Sequence, residues 1–154
     1  MAGIAVDIDA LAATGFASIS DEDRYRLKTQ GVCTQRQVGA FMLRIRVPGG
    51  KASARAVRAV ADLAERYGHP IVHVTTRGGF EIHHVAIENV PHVFTGLADV
   101  GLTTKGTCGD TIRNVIACAH AGISAGEILP IEPFAKLLHD RSSRSATRLI
   151  FRGR

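Results

Sequence analysis

Residues 41–68 read FMLRIRVPGGKASARAVRAVADLAERYG, and this stretch decides the fold. Phe41, Leu43, Ile45 and Val47 alternate with Met42, Arg44 and Arg46. A period of two puts the apolar side chains on one face of a strand and the arginines on the other. Pro48, Gly49 and Gly50 stop it. The period then changes. Val57, Val60, Ala61, Ala64 and Tyr67 recur at helical spacing, with Arg55, Arg58, Asp62, Glu65 and Arg66 mostly off that stripe. Ser53 suits the N-cap and Gly68 the terminator. A strand followed by an amphipathic helix is the start of a sheet covered on one side.

Working outward, residues 71–75 read as a second strand and residues 80–85 as a third, with Gly78 and Gly79 as a hairpin turn between them. A second helix is predicted over residues 90–100. Asn89 is its cap and Pro91 lies in its first turn; Val93, Phe94 and Leu97 form the buried stripe and Gly101 the stop. Residues 102–104 begin a fourth strand. The order β-α-β-β-α-β is that of an α+β, ferredoxin-like half-domain spanning residues 36–104. Residues 1–35 form a leading arm, with a charged helix over residues 21–28 capped by Ser20. Residues 105–154 are different in kind: a loop, an apolar run, a short helical piece and a strand-like RLIFRGR. That tail is too short for a core of its own. It is expected to pack on the half-domain or to begin a larger domain.

The totals set limits. The chain has 154 residues, 45% of them hydrophobic, enough for one cored domain. A net charge of +5 attracts anionic ligands. No apolar run is long enough for a membrane span. The leading MAGIAVDIDALAATG carries Asp7 and Asp9 and lacks a basic flank, so a cytoplasmic location with no membrane partner is expected. The three cysteines, Cys33, Cys108 and Cys118, are odd in number and contain no CxxC pair. They read as ordinary reduced thiols, neither a disulfide framework nor a zinc site.

Helices cover one sheet face and leave the other open. The open face collects Arg44 and Arg46 from the first strand, Glu81 and His83 from the third, and Arg77 from the turn. Arginines inside an apolar strand are costly unless that face meets solvent or an anion. Three uses compete. An RNA-recognition motif would need stacking aromatics, but Gly79 and His83 occupy such positions and Phe80 has the wrong parity, so nucleic acid is not the expected partner. A metal site built from His69, His73, His83 and His84 is disfavoured, because adjacent strand residues face opposite ways. A polyanionic cofactor is the third use.

Here longer motifs decide. TQR, FMLRIRVPGG, TTRGGFEIHH, GLTTKGTCGD and RNVIAC occur in that order. Together they resemble the N-terminal half of siroheme-dependent nitrite and sulfite reductases over roughly residues 19–122. The resemblance implies siroheme, an iron tetrapyrrole rimmed by carboxylates, held between pseudo-symmetric halves. It implies sulfite or nitrite as substrate and ferredoxin or a similar electron donor. Arg44 and Arg113 match the two arginines that hold the substrate anion, a task suited to a guanidinium fork. Arg46, Thr75, Arg77, Glu81, His83 and Asn114 match the siroheme wall. Gly78 and Glu81 stand where glutamine is common. A carboxylate at Glu81 would repel the cofactor rim unless Arg44, Arg46 or Arg77 pairs with it. The family also carries a [4Fe–4S] cluster on four downstream thiolates. Only Cys118 follows the Arg113-Asn114 pair, so the chain is expected to be a fragment, or one part of an enzyme completed by a separate chain with the C-terminal half. Alone it is expected to be inactive in reduction, with noncatalytic tetrapyrrole or partner binding as the alternative.

Overall fold

The computed structural model describes residues 6–109 and 111–145. Its elements are α1 (Ile8–Thr14), α2 (Asp21–Thr29), β1 (Val32–Thr34), β2 (Ala40–Ile45), α3 (Ala54–Tyr67), β3 (Val72–Val74), β4 (Phe80–Ala86), α4 (Val90–Ala98) and α5 (Glu132–Ser145). The sheet runs β1-β2-β4-β3, and every neighbouring pair is antiparallel. Helices α3 and α4 pack together on one face. The α+β architecture and the period-two reading of β2 are as expected: Phe41, Leu43 and Ile45 are buried.

The fourth strand differs from expectation. Residues 102–104 make one antiparallel bridge, Arg46 to Thr103, instead of a strand. The place beside β2 is taken by β1, where Cys33 pairs with Met42. The threonine-rich loop spends its hydroxyls elsewhere: Thr104 Oγ1 donates to the Gln30 carbonyl at 2.6 Å and Thr107 Oγ1 to the Arg44 carbonyl at 3.1 Å. Residues before β2 also feed the core. Ile19, Leu27 and Val32 are buried in one cluster with Phe41, Leu43 and Ile82. Ser20 caps α2 as predicted, in a capping box with Asp23.

Two helix details are corrected. Val57 is 45% exposed, and Ala56, Val60 and Ala64 form the buried row of α3 instead. Small side chains at Ala56 and Ala64 let the helix lie close to the sheet. Asn89 makes no side-chain cap, because a 3-10 turn over Ile87–Asn89 runs directly into α4 and leaves Asn89 in a turn conformation. Ser53 and Gly68 cap α3 as expected.

Strand β4 contains a bulge that the alternation did not show. Leu43 pairs with Ile82 and Phe41 with Val85, so His83 and His84 together oppose Met42. His84 absorbs the extra residue at φ 60°. The bulge resets the parity, and Ile82, Val85 and Ile87 all reach the core. Residues 105–109 and 111–131 wind as irregular loop, and Ala135 of α5 is buried beside Gly49. No helix among the described residues is long and apolar enough to cross a membrane. The strand-like end expected at RLIFRGR lies outside the described residues.

Candidate functional site

Strand β2, the turn before β4 and the loop after residue 104 enclose a half-open cleft of about 330 Å³. Arg44, Thr75, Arg77, Glu81, Arg113 and Asn114 all line it. Six of the eight residues singled out in the sequence therefore converge. The turn can approach so closely because Gly79 has no side chain: a Cβ there would lie 2.5 Å from the Ile45 carbonyl oxygen.

Arg46 is not on the open face. It is 2% exposed, covered by the loop, and donates from Nη2 to the Arg113 carbonyl at 2.8 Å and from Nη1 to the Lys105 carbonyl at 3.4 Å. Burial pulls its pKa down. The expectation of a side chain open beside Arg44 fails because the loop after residue 104 folds over this end of β2. Arg46 instead fixes the loop that carries Arg113. His83 also lies outside the cleft lining, half-buried on the same sheet face.

The cleft is braced by side chains that bind backbone. Arg113 donates to the Thr107 carbonyl at 2.6 Å and the Gly109 carbonyl at 3.1 Å. Asn114 Nδ2 bridges the Val47 and Arg77 carbonyls, both at 2.8 Å. Such bonds hold the guanidiniums in place before any ligand arrives.

Charge in the cleft is strongly one-sided. Arg44, Arg77 and Arg113 face Glu81 alone among the lining acids. Arg44 Nε lies 2.9 Å from Glu81 Oε1, so the pairing required to tolerate a carboxylate here is present. That contact is poorly aligned: Arg44 Nε is buried without a hydrogen-bond partner among the described residues.

His83 has a defined tautomer. The Gln35 Oε1 atom accepts from the His84 backbone N–H at 2.7 Å, so its amide nitrogen donates to His83 Nδ1 at 3.0 Å. The neutral ring then carries its proton on Nε2, 3.5 Å from Glu81 Oε2. Burial and the neighbouring His73 pull the His83 pKa below its ordinary value, and Glu81 opposes them. His73, Glu81 and His83 bring their ligand atoms within 4.8 Å of one another. Yet a metal would need the Nε2 lone pair that this tautomer protonates. Gln35 was not foreseen as a site residue, although it stands in the TQR motif.

Residues 34–100 match the family model of the nitrite/sulfite reductase ferredoxin-like half domain. That match takes in 67 of the chain's 154 residues. Within the matched range lie Arg44, Arg46, Thr75, Arg77, Glu81 and His83, while Arg113 and Asn114 follow it. The chain is 36% identical over 124 residues to a chloroplastic ferredoxin–nitrite reductase of Arabidopsis thaliana, covering 79% of this chain and 21% of that protein. It is 33% identical over 136 residues to a ferredoxin sulfite reductase of Mycobacterium tuberculosis, covering 77% and 24%. The solved structure of the Mycobacterium tuberculosis NirA protein superposes with a TM-score of 0.80 at 30% identity, covering 84% of this chain and 27% of that one. The chain thus spans about a quarter of the length of such relatives.

Proposed function

We propose that the open face of the half domain is one wall of a pocket for siroheme and a small oxyanion, sulfite or nitrite. The observation that carries this is the convergence of Arg44, Arg77 and Arg113 on one cleft whose single acid, Glu81, is already paired. Arg77 and Asn114, with Thr75, would meet the carboxylate rim. Arg44 and Arg113 would hold the oxyanion oxygens through charge-assisted bonds. When bound, siroheme would supply electrons to the oxyanion. His83, with its proton on Nε2 toward Glu81, belongs to a polar network that can hold a proton beside the cleft. Arg46 acts as a positioning residue through the Arg113 carbonyl.

A [4Fe–4S] cluster does not fit this chain's own residues. It needs four thiolates, and the chain has three cysteines. Ferredoxin, named in the relatives above, is the proposed electron donor to the assembly in which this half domain works, with a second chain as the proposed carrier of the remaining pocket.

The test is to express the chain with a siroheme supply and record its absorption spectrum beside that of Arg77→Gln and Arg113→Gln. A tetrapyrrole band that copurifies with the wild type and is weakened in both variants supports the reading. Equal pigment in all three, or none in the wild type, overturns it for this chain.

A further inference from the structure

Cys33 and Cys108 lie far apart in sequence, on β1 and on the loop after residue 104, yet that loop packs against the turn leading into β1, with Gly109 against Thr29, and each thiol shifts the titration of the other. The backbone around both is locked without their help. A Cβ at Gly31 would sit 2.2 Å from the Thr104 carbonyl oxygen, so the two segments are in direct contact. Gly106 N donates to the Thr29 carbonyl at 2.9 Å, Arg44 N to the Gly31 carbonyl at 2.9 Å, and Thr107 Oγ1 to the Arg44 carbonyl at 3.1 Å. Cys33 is half-buried and Cys108 is 5% exposed.

The charges around the pair favour one thiolate. The Cys33 thiol brings the Cys108 thiol down to about 6 against the cost of burial, and the Arg44 and Arg113 guanidiniums add to the effect. Cys33 is pushed up, first by the Cys108 thiol and then by burial, with Arg44 and Lys28 opposing. An anionic sulfur beside a protonated one is the arrangement of an attacking and a resolving thiol.

We propose that Cys33 and Cys108 form a reversible disulfide when the protein meets hydrogen peroxide, with Cys108 attacking and Cys33 resolving. The Cys108 thiolate attacks one peroxide oxygen, the O–O bond breaks, and hydroxide leaves with the second oxygen to be protonated to water. Cys108 is then a sulfenic acid. The Cys33 sulfur attacks the Cys108 sulfur as its own proton is lost, the S–O bond breaks, and a second water leaves. Two thiols have given up two electrons and two protons, and the peroxide has become two waters. A thiol reductant reverses the change. Peroxide is small enough for a nearly buried sulfur, which a bulky disulfide reagent is not. The product staples β1 to the loop beneath Arg44 and Arg113 and replaces an anionic sulfur by a neutral one. The proposal does not depend on siroheme binding.

The experiment treats the purified chain with a small excess of hydrogen peroxide, then denatures it, alkylates the free thiols and maps them by mass. Cys33 and Cys108 are expected to escape alkylation together, in one chain about 2 Da lighter, while Cys118 stays reactive. Dithiothreitol should restore both. Cys33→Ser should stop at a Cys108 sulfenic acid that dimedone traps, and Cys118→Ser should behave as the wild type. The oxidation rate should be near its plateau at pH 7 and fall below about pH 6, following the Cys108 thiolate. Oxidation that leaves Cys33 and Cys108 open to alkylation, or that links either of them to Cys118 or to another chain, overturns the proposal.

Discussion

Replacing Arg46 by methionine keeps the length of the side chain and removes its charge and its donors. The bond to the Arg113 carbonyl is short, at 2.8 Å, and charge-assisted, while the contact with Lys105 is long, at 3.4 Å. The first is worth about 2 kcal/mol net, and a buried carbonyl left without its partner adds about 1 kcal/mol or more. The second contributes a few tenths. Against this, the variant no longer has to desolvate a guanidinium, an offset of about 1 kcal/mol. The expected loss is about 2–3 kcal/mol, and at this chain length each kcal/mol moves Tm by about 2–4 °C. Arg46→Met should therefore melt about 5–10 °C lower, measured by near-ultraviolet circular dichroism. Arg58→Met, at an exposed position on α3, should stay within about 0.5 kcal/mol of the wild type. Arg46→Lys should fall between, since one ammonium cannot fork to both carbonyls in the same plane. An Arg46→Met protein that melts with Arg58→Met would refute the claim that Arg46 braces the Arg113 loop.

Leu27→Ala, in the fully buried seat of α2, should cost about 2–5 kcal/mol in urea unfolding, and a loss under 1 kcal/mol would show that the segment before β1 is not part of the core. Burial depresses the pKa values of both His83 and His139 below 6.5. The unfolded chain then binds more protons between that ordinary value and the depressed ones, so stability should fall as pH drops through this window. The urea midpoint should be lower at pH 5.5 than at pH 7.5, with a smaller drop in His83→Gln; a midpoint that rises on acidification would contradict the assignment. Glu81→Gln removes the one acid lining the cleft, and should tighten binding of a polycarboxylate porphyrin at low salt, by an amount that shrinks as salt is raised. Weaker binding in that variant would mean that Glu81 serves the ligand directly.

Local periodicity carried much of the fold. The alternation of β2, the Ser20 and Ser53 caps and the Gly68 stop were legible because each depends on neighbours a few residues away. The edge of the sheet was not. Whether residues 102–104 or residues 32–34 fill the place beside β2 is settled by competition between distant segments, and a run of three residues has no period to read. The β4 bulge left a trace in the uneven spacing of Ile82, Val85 and Ile87, which strict alternation overlooks. Of the site, the residues on β2 and the turn followed from alternation. Arg113 and Asn114 came through resemblance, since nothing local says that a loop far along the chain will return to β2. The same long-range return misplaced Arg46, covering an arginine whose parity pointed to the open face. It also hid the partnership of Cys33 and Cys108, which no spacing rule predicts.

The most direct measurement of the central claim is a nuclear magnetic resonance titration of the arginine Nε–Hε signals with siroheme, whose iron broadens nearby resonances. The Arg44, Arg77 and Arg113 signals should be lost together at one equivalent, while Arg58, exposed on α3, stays sharp. Signals that all remain, or broadening that begins at α3, would contradict it.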